Sequence, residues 1–370
     1  MKKKVLVGMS GGVDSSITAH LLKEQGYETE GLSFVLWEAR LKSDFSTCCS
    51  LQAINDAAST AEAIGIKHSK LDVRNAFVEK VIEPFMEAYT KGLTPNPCVL
   101  CNQHIKFPYL LNQANERGFD YIATGHYARV LDDYRLYASV MDDSGMSLNG
   151  NRHSFLLKGV DPKKDQSYFL YVLRHEELDR LLLPLGQHTK DEVRGIARGL
   201  GLSAAERPES QEICFIEDRN YFKFIEKLSP IAGKEGPIID KDGHVIGTHK
   251  GVYAYTVGQR KGIGVSSKDP LYVIRIDHLK NAIHVGPREM GYMDEFYVGG
   301  INWLVPYLSE ELNAKVKVRS AMPGKPAKII LSTGSANVRV IYGRPQWAPA
   351  AGQSAVFYID DIVAGGGTIL

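Results

Sequence analysis

The run Lys4-Val5-Leu6-Val7-Gly8 stops at a glycine-rich turn and restarts with a helical period, and this juncture constrains the fold more than any other stretch. Ile17, Leu21 and Leu22 share one face of a helix expected over 15–25, which Gly26 ends. The alternation then repeats. Strand-like runs at 29–37, 67–73 and 121–124 are interleaved with helical ones at 53–64, 76–91 and 105–117. Strands and helices of that length demand parallel pairs with right-handed crossovers. A short helix is expected at 190–200. Beyond 233, glycine and proline punctuate short β-rich runs at 251–255, 271–276 and 355–359, which reads as barrel-like all-β material. The expected architecture is an α/β parallel-sheet domain over 1–217, a small β-rich central domain over 218–283, and a C-terminal β-barrel domain over 284–370.

A length of 370 residues exceeds one ordinary core. With 44% hydrophobic and 24% charged residues, disordered and collagen-like chains are excluded. Lys+Arg (44) nearly balance Asp+Glu (43), which argues against a histone-like binder. The middle segment, 218–283, nevertheless carries 11 basic against 7 acidic residues, a pointer to a polyanionic partner. No apolar run approaches a membrane span. The apolar stretch after Met1-Lys2-Lys3-Lys4 is too short for a signal peptide, so a cytoplasmic location with no membrane partner is expected. The cysteines are Cys48, Cys49, Cys98, Cys101 and Cys214. An odd number argues against a disulfide framework, and all of them fall in the first domain.

Gly8-Met9-Ser10-Gly11-Gly12-Val13-Asp14-Ser15-Ser16 follows a strand and opens a helix. Gly11 and Gly12 permit positive φ and close backbone approach. The hydroxyls of Ser10 and Ser15 and the free N–H groups of the helix start can surround an anion. The Gly-Lys-Ser/Thr ending of a Walker loop is absent, and so is G-x-G-x-x-G. Ser-Gly-Gly-x-Asp-Ser resembles the PP-loop of ATP pyrophosphatases, which are adenine nucleotide α-hydrolase-like in fold. That resemblance implies an ATP site over Gly8–Ser15, with Asp14 helping to hold magnesium-bound pyrophosphate.

Cys98 and Cys101 form a Cys-x-x-Cys after Pro95-Asn96-Pro97. Such a pair serves redox chemistry, half a zinc site, or part of an iron–sulfur site. No second Cys-x-x-Cys completes a four-cysteine zinc site. The Pro95-Asn96-Pro97 turn is expected to expose the motif ahead of a helix whose N-terminus lowers a thiol pKa. Cys214, in Ser210-Gln211-Glu212-Ile213-Cys214-Phe215, reads by itself as a core cysteine in a strand. Beside a nucleotide loop and a second thiol motif it points to sulfur handling. Cys48-Cys49 reads as packing at a helix start.

Taken together, the Ser-Gly-Gly-Val-Asp-Ser loop, Asn96-Pro97-x-x-x-Cys101-Asn102 with Ile105-Lys106-Phe107, Ala123-Thr124-Gly125-His126-Tyr127, Lys164-Asp165-Gln166-Ser167-Tyr168 and Ser210-Gln211-x-Ile213-Cys214-Phe215 resemble the tRNA-specific 2-thiouridylases over essentially the whole chain. The resemblance implies an enzyme that uses ATP and Mg2+ to adenylate O2 of the tRNA wobble uridine. Cys214 would receive a persulfide from a sulfur-carrier protein, and Cys101 would be the partner thiol that closes a disulfide with it. It also implies ATP contacts at Phe34 and Gly125. It implies tRNA contacts at His126, Lys164, Asp165 and Gln166. A flipped uridine is expected near Asn96, Pro97 and Cys98; Lys317 and Arg319, alternating with Val316 and Val318 on a strand face, read as phosphate contacts, and Gln353 beside Gly352 as a reader of a nucleotide edge. In much of that family the position of Cys98 holds Asp, so a carboxylate role is not carried over. The replacement opens a [4Fe–4S] cluster on Cys98, Cys101 and Cys214 as an alternative cofactor. Two further alternatives are a PP-loop ligase or amidotransferase, which has no need of the two thiols, and a non-catalytic nucleotide-dependent RNA-binding module. The wobble base must leave its stack to be modified, and salt-sensitive phosphate contacts are expected to supply most of the affinity.

Overall fold

The computed structural model describes residues 2–37, 51–131, 154–202, 213–216, 221–228, 233–305, 310–331 and 336–370. Cys48, Cys49, Ser210 and Gln211 lie outside them. The chain divides into two compact units. One comprises Met1–Lys80, Cys98–Phe215 and Ile359–Ala364; the other comprises Val81–Pro97, Ile216–Tyr358 and Gly365–Leu370. Among the described residues no helix is long and apolar enough to cross a membrane.

The first unit is built on a parallel sheet. Its strands are β1 (Lys4–Gly8), β2 (Glu28–Val35), β3 (Lys67–Asp72), β4 (Tyr121–Thr124) and β7 (Leu181–Leu182), in the order β3-β2-β1-β4-β7. β1 is central, and its Val5, Leu6 and Val7 are fully buried, as a parallel strand covered on both faces requires. Among the described residues β3 pairs along one side only, with β2, and carries Lys67 and Lys70, charges that suit an edge. Helix α1 (Val13–Glu24) buries Ala19 and Leu22 in a core to which α2 (Leu51–Ile64) adds Ala57 and Ala61, and buries Ile17 on its other side against Tyr127, Leu185 and Val193. Gly26 and Gly65, at φ +89° and +73°, supply the left-handed residues that end the two helices. A hairpin of β5 (Ala128–Leu131) and β6 (Phe155–Lys158) follows β4, and Leu157 pairs with Ile362. Neither hairpin strand is expected from the sequence, because each is too short to show a period.

In the second unit, β8 (Gly236–Ile239), β9 (Val245–His249), β10 (Tyr272–Asp277) and β11 (Ala282–Gly286) form a sheet in the order β10-β11-β8-β9. They close over Ile238, Val252, Tyr255, Ile263, Val273, Ile283 and Val285. The strand expected at 251–255 is instead a 3-10 turn, Val252–Ala254. Gly251 stands at φ +145°, outside the extended backbone a strand needs, and Val252, Tyr253 and Tyr255 after it are all buried. The Tyr253 hydroxyl donates to Glu226 (2.7 Å), and burial with that carboxylate pushes its pKa up to about 12.

The C-terminal barrel is closed by six strands: β12 (Tyr292–Trp303), β13 (Glu311–Lys317), β14 (Lys325–Leu331), β15 (Val338–Trp347), β16 (Ser354–Ile359) and β17 (Ile362–Ile369). β12 makes closure possible by pairing with both β15 and β17. Register shifts between Met293 and Glu295 and between Gly299 and Asn302 bend it from one partner to the other. A Cβ at Gly367 would lie 2.5 Å from the Gly299 carbonyl oxygen, so glycine permits this approach. The 81–97 segment joins this unit through the Thr94 N–H, which donates to the Ala351 carbonyl (2.9 Å).

Candidate active site

The glycine loop lies between β1 and α1, as expected. Gly12 caps the helix in an extended conformation with no side-chain cap, so the helix N-terminus keeps its N–H groups for another acceptor. Gly11 stands at φ +77°, and a Cβ there would lie 2.2 Å from the Ala53 carbonyl oxygen. The Ser10 N–H donates to Ser15 Oγ (3.2 Å), and Ser15 Oγ donates to the Gly12 carbonyl (3.1 Å), which draws the turn into a ring. Met9 anchors its floor to β2: its N–H donates to the Leu32 carbonyl (2.8 Å), and its carbonyl accepts from Ser33 Oγ (2.7 Å). Since that hydroxyl spends its proton on Met9, it accepts from His68 Nε2 (2.8 Å), which settles the histidine's donor nitrogen.

Gly125 backs the loop from the end of β4. A Cβ there would lie 2.8 Å from the Asp14 carbonyl carbon and the Ser15 nitrogen. The space a side chain would need is therefore filled by the loop's own backbone. His126 follows, with Nδ1 at 2.8 Å from Thr124 Oγ1 and its ring stacked on Phe107 (centroids 5.7 Å). Phe107 stands on the continuous 97–116 helix that begins with the cysteine pair. Six residues, or about 9 Å of helical rise, separate it from Cys101, so one helix carries both the thiol and the ring that stacks on His126.

The cysteine pair is not in a turn ahead of the helix. Pro97 starts the helix, and Cys98 and Cys101 form its first turn. A proline needs no N–H at that position and is set for helical φ. Cys98 is consequently exposed, whereas Cys101 is buried at 7% exposure rather than displayed. Cys214 is half-buried in a turn, not a strand, next to Phe215, which packs edge-on against Phe77 (5.6 Å). Phe34 is half-buried on β2, beside Ser33 but on the opposite strand face.

The 164–166 turn is tied into the fold. Gln166 accepts from the Tyr127 N–H through Oε1 (2.9 Å), and its own N–H donates to the Tyr127 carbonyl (2.8 Å). Asp165 accepts from the Gly159 and Ser167 N–H groups, and Lys164 is half-buried. In the second unit, Asn96 is half-buried, Pro97 buried and Lys317 half-buried. Arg319 donates to the carbonyls of Val257 (2.9 Å) and Ala348 (3.0 Å), and the Gln353 carbonyl accepts from the Ile369 N–H (2.8 Å).

Sequence reasoning missed the partners of Asp14. Tyr127 Oη donates to Asp14 Oδ1 (2.7 Å), and Lys190 Nζ donates to both carboxylate oxygens (2.7 and 2.8 Å). Lys190 also lies 5.6 Å from the Tyr127 ring centroid. The available signal was Thr189-x-x-Glu192, a capping box that marks the helix start and puts Lys190 in its first turn. A carboxylate has about four lone-pair positions, so Asp14 keeps room for a metal ion or water.

Burial holds His68, His104 and His126 below the ordinary imidazole pKa, His126 by the most. On unfolding each regains its ordinary value near 6.5. The unfolded chain therefore binds more protons, and the associated stability is present above about pH 6.5 and lost as pH falls through the lowered folded values. Denaturant midpoints should fall between pH 7.5 and 5.5, and His126→Gln should fall less steeply than the parent. Equal slopes in the two proteins would refute a neutral, half-buried His126.

Residues 3–218 match the family model described as a tRNA methyl transferase HUP domain. Residues 223–287 match a tRNA methyl transferase PRC-barrel domain, and 293–369 an aminomethyltransferase beta-barrel domain. The chain is 44% identical over 374 residues to tRNA-specific 2-thiouridylase MnmA 1 of Caldanaerobacter subterraneus subsp. tengcongensis, covering 100% of this chain and 98% of the relative. It is 42% identical over 369 residues to tRNA-specific 2-thiouridylase MnmA of Halothermothrix orenii (99% and 98% covered). It is also 42% identical over 372 residues to the protein of that name from Clostridium botulinum (100% and 98% covered).

Proposed function

The chain belongs to the tRNA-specific 2-thiouridylase family, and from that premise we propose that it is a tRNA-uridine 2-sulfurtransferase that spends ATP to replace O2 of the wobble uridine with sulfur. The observation that carries this reading is the conjunction, in one unit, of an uncapped helix N-terminus behind a glycine loop and a helix that holds Cys101 in its first turn and stacks Phe107 on His126, the neighbour of the loop-backing Gly125. Gly8–Ser15 would cradle the pyrophosphate end of ATP, and Asp14 would hold magnesium through its remaining lone pair. The uridine O2 attacks the α-phosphorus, the α–β bridging P–O bond breaks, and pyrophosphate leaves. AMP is then a far better leaving group than oxide.

Cys214, loaded as a persulfide by a sulfur-carrier protein, attacks C2 with its terminal sulfur, and the C2–O bond breaks as AMP departs. The uridine is then joined to Cys214 through a disulfide. The Cys101 thiolate attacks Cys214 Sγ, a Cys101–Cys214 disulfide forms, and the 2-thiouridine sulfur leaves with the electron pair. A dithiol reductant restores both thiols. The tRNA-contact residues named above, and the boundaries 1–217, 218–283 and 284–370, belong to this same reading.

The test is nucleoside mass spectrometry of unmodified tRNA after incubation with ATP, Mg2+ and a persulfide donor. ATP-dependent 2-thiouridine supports the reading; modification that proceeds without ATP refutes it. A cluster route rests on Cys98 and Cys101 standing three residues apart in one helical turn, where both face the same side. With Cys214 they would hold three irons of a [4Fe–4S] cluster, which would offer its fourth iron to sulfide. Fully active enzyme that contains no iron excludes that route.

A further inference from the structure

Lys190 is the first residue of the Lys190–Gly199 helix, whose N-terminus is completed by a capping box. Thr189 Oγ1 accepts from the Glu192 N–H, and Glu192 accepts from the Thr189 N–H (2.7 Å). An ammonium at this end opposes the helix dipole. Its side chain is also only 7% exposed, and a buried ammonium is costly without an anion beside it. The fold meets that cost with Asp14, at 2.7 and 2.8 Å, and with the Tyr127 ring. The Lys190 backbone is held as well, because its N–H donates to Asp161 Oδ2 (3.1 Å). Two unfavourable placements, both sustained, mark a side chain kept for something other than helix stability.

The loop itself, Gly8 to Ser16, contains no lysine or arginine. Its N–H groups and hydroxyls offer an anion only partial charges, whereas a pyrophosphate leaving group develops a full one. We propose that Lys190 is the phosphate cation of this loop, held on Asp14 while the site is empty and released to the pyrophosphate oxygens when Asp14 turns to magnesium. The proposal rests on the ATP-dependent reading above. It carries a consequence for order of binding. A divalent ion arriving alone must share Asp14 with an ammonium already in contact, and the two cations repel. The metal therefore binds well only together with the nucleotide, whose phosphates separate the two positive charges.

The experiment compares the full-length parent with Lys190→Gln, Lys190→Arg and Thr189→Ala. Mn2+ binding is followed by electron paramagnetic resonance with and without ATP, and pyrophosphate release is measured with tRNA present. Lys190→Gln should bind Mn2+ without nucleotide about fivefold or more tighter than the parent. It should release pyrophosphate about 10²–10³-fold more slowly at saturating ATP, the usual effect of removing one charge-stabilising group. Lys190→Arg should recover part of the rate and restore weak metal binding. Thr189→Ala, which removes the cap but keeps the ammonium, should lower the melting temperature and leave Mn2+ affinity unchanged. Unchanged Mn2+ affinity and rate in Lys190→Gln, with an active parent, would overturn the proposal and leave the functional reading standing. A parent that releases no pyrophosphate would overturn both.

Discussion

Cys214→Ser and Cys101→Ser should both lose 2-thiouridine formation from a persulfide donor, by about 10³-fold or more as expected for removal of a nucleophile, yet they should fail at different points. Cys214→Ser cannot be loaded with sulfur, so it should accumulate adenylated tRNA and still release pyrophosphate. Cys101→Ser is loaded and attacks, but nothing then cleaves the sulfur–sulfur bond. It should stop as a covalent tRNA–enzyme disulfide, visible as a shifted band on a non-reducing denaturing gel and released by dithiothreitol. The structure gives reason to expect this division. Cys101 is buried within the first turn of the 97–116 helix, unsuited to meeting a carrier protein, whereas Cys214 is half-buried in a turn. A thiol protected from solvent resolves a neighbouring bond without being oxidised by bulk reagents. Trapped adduct from Cys214→Ser rather than Cys101→Ser would exchange the two roles. Full activity of both variants with the persulfide donor would remove the thiols from the mechanism.

The same residues show how far the sequence could be read. The loop was legible because every signal needed to recognise it is local: an apolar strand, two glycines, hydroxyls and a helical period, all between Lys4 and Leu22. The closed barrel was legible only as a class. What closes it is a pair of register shifts in β12, set by where distant strands meet rather than by any pattern within Tyr292–Trp303. At 251–255 the aromatic and β-branched composition favours a strand, but Gly251 at φ +145° breaks the extended backbone and a 3-10 turn follows. Lys190 was invisible for a different reason. Its meaning comes from Asp14, 176 residues away in sequence, and no local rule pairs them. The position of Cys101 shows a subtler limit. The Cys-x-x-Cys spacing is visible in the sequence, but Pro97 reads there as part of an exposed turn and is the first residue of a helix.

Gly11→Ala and Gly12→Ala should part company, although the two glycines are neighbours. At Gly11 the backbone is left-handed, and the added methyl would lie 2.2 Å from the Ala53 carbonyl oxygen and 2.9 Å from its carbon. Both atoms are backbone of α2, which packs its Ala57 and Ala61 into the sheet core and has no freedom to retreat. Strain of about 1–3 kcal/mol for the conformation, with a comparable cost for the collision, should lower the melting temperature substantially and weaken ATP binding along with it. At Gly12 the conformation is extended, φ −85°, which any residue adopts, and the methyl meets only Ser10 Oγ at 3.7 Å, an ordinary contact. Alanine is a poorer N-cap than glycine, but that difference is about 1 kcal/mol or less. Gly12→Ala should therefore fold nearly as well as the parent. Its methyl stands at the mouth of the uncapped helix N-terminus, where a phosphate oxygen would have to approach the N–H groups closely. Loss of ATP affinity without loss of folding, read by calorimetric titration beside thermal denaturation, is the signature of a glycine kept for the ligand rather than for the chain. If Gly12→Ala binds ATP as tightly as the parent, the phosphates do not sit on the N-terminus of α1, and the cradle assigned to Gly8–Ser15 is wrong.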